Sequence, residues 1–254
     1  MLCLDNVRVP GRVGAITTEI PSKNHIALLG PNGSGKSSLL LALAGLISCK
    51  GNVLLQDESI LAWPIDVAAL KRALLPQRTP QLLPIACHEV IGLGASALNL
   101  SRAAKAAAIQ EICQRLELGD FLRRDFSCLS GGEQQRVLLA KTLLQIWPEI
   151  NPHAKLLMLD EPLAGLDFYH QLQLLDLLKE LTSHGLTVIS SIHDFNLAIT
   201  HADYICCLEQ GKLKFADQAS AFNENLIREV FHIATIKIES QGQTVFVPWQ
   251  TSKS

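Results

Sequence analysis

Short apolar runs of strand length alternate along this chain with longer runs of helical character, and glycine or proline marks many of the junctions. Residues 26–29 read as a strand and 38–46 as a helix; 53–55 is a short strand, and 101–116 a helix carried by alanines with Ser101 as its cap. Leu156–Leu159 is a continuous apolar run, as a central strand buried on both faces requires. A further apolar run covers 188–192, and 204–208 is strand-like. This alternation predicts a parallel sheet covered by helices. Three prolines between residues 76 and 84, then Gly92 and Gly94, break the pattern and re-aim the chain into a separate helical segment. After Gln210-Gly211 the pattern predicts a hairpin, a helix over 223–231, and strands at 234–238 and 244–247.

The junction after the first of these strands carries chemistry. Gly30-Pro31-Asn32-Gly33-Ser34-Gly35-Lys36-Ser37 spells G-x-x-x-x-G-K-[ST] between a strand and a helix. A polyphosphate is met there by unobstructed backbone N–H groups and the positive end of a helix. Gly30, Gly33 and Gly35 permit close approach, Lys36 reaches phosphate oxygens, and the Ser37 hydroxyl is placed to hold Mg²⁺.

Asp160-Glu161 follows Leu156–Leu159 directly. Carboxylates at the carboxyl end of such a strand lie where parallel α/β sheets bind ligands. Asp160 is therefore expected to order Mg²⁺ and its waters, and Glu161 to act as general base on a water attacking the γ-phosphate.

Composition narrows the partners. A formal net charge of −2 over 254 residues argues against an extended nucleic-acid surface. The chain is 48% hydrophobic, yet its longest apolar run, 39–47, falls far short of the ~20 residues a bilayer crossing needs and is interrupted by Gly45. The first residues lack the basic start and apolar stretch of a secretory signal, so a cytoplasmic chain is expected. Seven cysteines form no C-x-x-C pair and read as reduced thiols; adjacent Cys206 and Cys207 fall in the strand-like run and read as small hydrophobes.

Leu129-Ser130-Gly131-Gly132-Glu133-Gln134 precedes a helical run over 135–144. Ser130 has the chemistry of an N-cap, and Glu133 stands where a capping-box acid belongs. Capping does not explain two glycines in the first turn, each costing about 1 kcal/mol of helix propensity against alanine. Backbone exposed in this way is a second anion cradle.

With these motifs the chain resembles the ATP-binding-cassette ATPases. Further elements of the pattern follow in order: Gln77 in Leu75-Pro76-Gln77, the segment Ala164-Gly165-Leu166-Asp167, and His193 after the run 188–192. The resemblance implies an α/β P-loop fold with a mostly parallel core sheet, an antiparallel β subdomain and a helical signature subdomain at roughly 78–150, within a single ATP-binding domain over 1–254. It implies ATP and Mg²⁺ as cofactors. Residues Gly30 to Ser38 would hold the nucleotide, Ser37, Gln77 and Asp160 would hold Mg²⁺, Glu161 and His193 would act in hydrolysis, and Asp167 would line the site. Ser130, Gly131, Gly132 and Glu133 would close over the γ-phosphate bound to a second copy, so a homodimer with two ATP molecules is implied.

The family usually stacks adenine on an aromatic residue near the chain start, but no Phe, Tyr or Trp precedes Trp63 here. Arg12, ahead of Arg8, offers a guanidinium to the base instead. Within the family the run Gln145-Ile-Trp-Pro-Glu-Ile-Asn151-Pro-His-Ala-Lys155 is similar to the connector of vitamin B12 importer subunits, whereas Asp167-Phe168-Tyr169-His170-Gln171 looks more like haem or ferric-siderophore importers. The expected function is an ATPase driving vitamin B12 import through a separate integral-membrane permease, with an external substrate-binding protein. Its expected place is peripheral, on the cytoplasmic face of the inner membrane, with the permease contact drawn from residues 77–94. The alternatives are a haem or siderophore importer and a soluble ATPase acting on an assembly scaffold, as in iron–sulfur cluster biogenesis. Seven histidines, His25 and His170 among them, show no chemical grouping in the sequence and receive no role.

Overall fold

A computed structural model of the chain describes residues 1–77, 85–240 and 242–249. It divides into two compact units, one made of Met1–Leu61 with Ile189–Ser254 and the other of Ala62–Val188. Most of the proline-marked stretch, residues 78–84, lies outside the described residues, and with it part of the segment expected to meet a permease.

The first unit opens with β1 (Leu2–Val9), β2 (Val13–Ile20), β3 (His25–Leu29), α1 (Lys36–Leu43), β4 (Lys50–Leu55) and β5 (Glu58–Ser59). An antiparallel sheet of order β2-β1-β4-β5 results. Along β1 the buried positions are Leu2 and Leu4, then Val7 and Val9, a change of parity that an unbroken strand cannot make. The pairing with β2 shifts register between Leu4 and Val7, and Asn6 there has φ 51°, so a bulge restores the apolar face. Helix α1 starts two residues before the predicted 38 and stops short of 46. Gly35, left-handed at φ 105°, turns the chain into it, and Gly45 at φ 69° ends it.

The second unit contains α2 (Ile65–Lys71), β6 (Arg72–Leu75), α3 (Cys87–Gly92), α4 (Arg102–Arg115), α5 (Gly131–Ile146), β7 (Leu156–Leu159) and α6 (Phe168–Ser183). Strand β6, only four residues long and continuous with α2, was not expected from the sequence; it runs parallel to β7 with Leu75 opposite Leu159. Val137, Ala140, Leu143 and Leu144 of α5 recur at helical spacing and are fully buried with Leu157 and Leu159 of β7 and Leu178 of α6. Each such leucine contributes roughly 2 kcal/mol. The Gln145–Lys155 connector, read from the sequence only as a family mark, is fastened by its amides. Gln145 Nε2 donates to Ala69 O and Arg72 O, and buried Asn151 donates to Leu70 O and Gln145 O.

Strand β8 (Thr187–Ser191) begins in the second unit and ends in the first, where α7 (Phe195–His201), β9 (Tyr204–Glu209), β10 (Lys212–Gln218), α8 (Glu224–Phe231), β11 (Thr235–Ser240) and β12 (Gln243–Pro248) follow. Here the strand order is β10-β9-β3-β8, with β3 and β9 parallel and β10 antiparallel to β9. The hairpin after Gln210-Gly211 is β9–β10 turned at those two residues, both at positive φ. Cys206 and Cys207 are buried on β9, where desolvation pushes both thiols up to about 12, as befits packing residues. All seven cysteines are free. Among the described residues no helix is long and apolar enough to cross a membrane.

Candidate functional site

In the first unit β3 delivers the chain into the glycine loop, and the loop is built for close approach. A Cβ on Gly30, whose φ is +144°, would stand 2.1 Å from Leu208 O and 2.7 Å from Ser34 Oγ, so only glycine fits. Gly33 is left-handed, with open space where a side chain would stand. Two neighbouring turns hold the loop: Gly211 N donates to Ser34 O, and Gly14 N to Gly211 O. Lys36 is buried and its ammonium donates to Gly30 O at 2.7 Å and Pro31 O at 3.1 Å. Loop carbonyls thus hold a cation directly above the N-terminus of α1. Ser34 Oγ is buried without a hydrogen-bond partner. Such an orphaned hydroxyl, a bend that only glycine admits at position 30 and a buried lysine ammonium held over the loop carbonyls fit a polyphosphate chemically. Ser37 and Ser38 lie in the first turn of α1, while Pro31 and Asn32 form the outer rim of the loop.

His193 follows β8 in the same unit. Ile192 N donates to Leu28 O, so the chain leaves β8 beside the end of β3, and His193 emerges exposed on the loop side of that strand. Asp194 then caps α7 through Asn196 N and Leu197 N. Arg12, exposed in the β1–β2 turn, has its carbonyl 3.2 Å from the position a Gly35 Cβ would take, so its turn abuts the loop. Arg8 is tied to Asn6 Oδ1.

The carboxylates belong to the second unit. Asp160, 3% exposed, continues β7, and its N–H donates to Leu75 O. With Leu75 opposite Leu159 in parallel strands, residues two further on leave side by side. Gln77 and Glu161 accordingly meet, Nε2 to Oε1, at 2.7 Å. Glu161 is held at φ 54°, a left-handed conformation that costs a residue with a Cβ about 1–2 kcal/mol.

The signature segment folds as its chemistry predicts. Ser130 N donates to Glu133 Oε2 at 2.7 Å and Glu133 N to Ser130 Oγ at 3.4 Å, a reciprocal capping box. Hydrogen bonds from Ser130 hold the Glu133 carboxyl below the usual range. Gln134 Nε2 fastens the approach through Phe126 O and Leu129 O. The helix starts at Gly131, so both glycines sit in its first turn, and they differ in kind. A Cβ on Gly131 would meet nothing, whereas one on Gly132 would stand 2.6 Å from Gly165 O.

Asp167 caps α6, and the backbone N–H and then the ring of His170 hold its carboxyl below the usual range. The sequence pattern gives His170 no role. In the structure it lies between Asp167, Arg136 of α5 and Glu117. His25 also acquires partners: it is buried against Ser190 Oγ and His201 O. Nothing in the sequence pointed to either, because their partners come from distant segments.

A family model described as ABC transporter matches residues 13–164. The chain is 39% identical over 234 residues to the vitamin B12 import ATP-binding protein BtuD of Yersinia pseudotuberculosis serotype I (strain IP32953), covering 92% of each protein. It is 38% identical over 243 residues to the hemin import ATP-binding protein HmuV of Rhodopseudomonas palustris (strain ATCC BAA-98 / CGA009), covering 93% of this chain and 88% of that protein. Among solved structures it is similar to a dimeric bacterial ABC transporter cassette, with a TM-score of 0.75, 23% identity, and coverage of 87% of this chain and 100% of the other.

Proposed function

From the membership of this chain in the ABC transporter ATPase family, we propose that it is the ATP-hydrolysing subunit of a vitamin B12 importer. The whole chain acts as one ATP-binding domain, working as a homodimer beneath a separate membrane permease fed by an external binding protein. It sits peripherally on the cytoplasmic face of the inner membrane. The observation that carries the ATPase reading is the Gly30–Lys36 cradle, with its orphaned Ser34 hydroxyl and its buried lysine. Similarity to a vitamin B12 import protein across 92% of the chain supports the cargo.

Each residue has a task in this reading. Lys36 exchanges the carbonyls of Gly30 and Pro31 for phosphate oxygens, and residues Gly30 to Ser38 surround those oxygens with N–H and O–H donors. Ser37, Gln77 and Asp160 would hold Mg²⁺, which would supply positive charge to the phosphates. Glu161 takes the proton of the attacking water and His193 orients toward the γ-phosphate. Ser130, Gly131, Gly132 and Glu133 present the capped N-terminus of α5 to the nucleotide on the second copy, and Asp167 borders it. Arg12 covers the base.

A haem importer is the second reading, favoured by 38% identity to a hemin import protein. The test is complementation of a bacterium lacking its own vitamin B12 import ATP-binding subunit. Growth on limiting vitamin B12 is expected with this chain and not with its Lys36→Ala variant. Failure there, with rescue of a strain lacking its hemin import subunit, selects the second reading.

A further inference from the structure

The hydrogen bonds around His170 fix its tautomer. Arg136 Nη1 lies 3.1 Å from His170 Nε2, and a guanidinium only donates, so Nε2 is the bare, accepting nitrogen. The ring proton is then on Nδ1, which donates to Asp167 Oδ1 at 2.8 Å, while the His170 backbone N–H donates to the same oxygen at 3.0 Å. Glu117 Oε2, 3.5 Å from Nε2, would be an acceptor only for the other tautomer or the imidazolium. Tyr169 meets the ring edge-on at 5.5 Å. The other end of the chain is equally placed. Arg136 stacks over the Phe121 ring at 5.2 Å, and its backbone lies in α5, one turn beyond the two glycines.

A second link runs beside the first, since Gly132 and Gly165 approach too closely to admit any Cβ on Gly132. The start of α5 and the 164–167 segment are therefore joined twice, once by backbone packing and once by side chains.

Resting on the ATPase reading above, we infer that His170 is a positioning residue: by accepting from Arg136 and donating to Asp167, it sets the direction of the Asp167 carboxylate by the position of the signature helix. A displacement of that helix start is then passed to Asp167 rather than absorbed by a freely rotating side chain. The imidazole does this because its two nitrogens have opposite roles in one rigid ring.

Two conservative variants separate the ends of this relay. His170→Asn keeps a donor near the Nδ1 position for Asp167, and His170→Gln keeps an acceptor near the Nε2 position for Arg136. Both are expected to lower kcat for ATP about tenfold, as His170→Ala does, with KM changed less than about twofold. The ring nitrogens of His170, measured by ¹⁵N NMR, are expected to show the Nδ1–H tautomer in the parent, and Arg136→Ala to remove it. Parental kcat in His170→Asn, or an Nε2–H ring in the parent, overturns the inference. The NMR signature is read without ATP. A parent that hydrolyses no ATP but shows the Nδ1–H ring therefore refutes the ATPase reading and leaves the relay geometry standing.

Discussion

Gln77 Nε2 donates to Glu161 Oε1 across 84 residues of sequence, at 2.7 Å. The pair exists because β6 and β7 are parallel and in register, so that each chain exits two residues before the side chain concerned. Glu161 is thereby restrained twice, by its left-handed backbone and by a neutral donor that orients the carboxylate without removing its charge. A carboxylate held in this way has little conformational freedom left to lose, as the proposed role of general base requires.

Replacing Glu161 by Gln retains the size of the side chain and removes the proton acceptor. Steady-state ATP turnover is expected to fall at least about 100-fold, with nucleotide affinity nearly unchanged by equilibrium titration. Parental turnover in Glu161→Gln would show that the base is another group.

Gln77→Glu places a second carboxylate where a neutral amide now donates. Like charges at that distance share a proton, and the acid limb of the kcat–pH profile should move upward by about one unit. An unmoved limb would mean that the two side chains part before turnover.

Gly30→Ala forces a Cβ onto Leu208 O, whereas Gly33→Ala meets open space and only the penalty of positive φ. The first is expected to cost more than about 3 kcal/mol of stability and the second about 1 kcal/mol, read from urea midpoints. Equal costs would contradict the close approach to β9.

His25 supplies a pH dependence. Burial pushes its imidazole down to about 4 from 6.5, because the desolvation of the charged form outweighs the support it would draw from the His201 carbonyl and Asp203. Its native pKa lies below its unfolded one, so between pH 6.5 and about 4 the unfolded state binds more protons. The contribution is fully present above pH 6.5 and fades as pH falls through that window, by roughly 3 kcal/mol in all. His25→Gln should flatten urea-derived stability across the same range; an unchanged slope would assign the loss to other groups.

In the proposed function Arg12 would offer the base a cation rather than an aromatic face. GTP is therefore expected to compete with ATP within about tenfold, and Arg12→Ala to weaken both nucleotides about threefold, measured by fluorescent-nucleotide displacement. Strong discrimination against GTP would place the base elsewhere.

Local chemistry was legible along the chain. The capping box at Ser130 and Glu133, the Ser101 cap and the glycine loop formed where the sequence put them, because each depends on bonds and φ preferences within three or four residues. The ends of α1 depart from the apolar run over 38–46, which continues past the residue whose left-handed backbone stops the helix. Strand β6 is not legible in the sequence, because four residues following a helix carry too little periodicity.

The sequence by itself determined the glycine loop between β3 and α1, the acidic pair at the end of β7 and the capped glycine turn, all of them properties of consecutive residues. Only the tertiary structure decided that Glu161 is tethered by Gln77, that Gly30 faces Leu208 O, and that His170 joins Arg136 to Asp167. Those relationships depend on which strands lie side by side and which helices share a core. That choice is made by burial of apolar surface summed over many distant residues, and no local pattern records it.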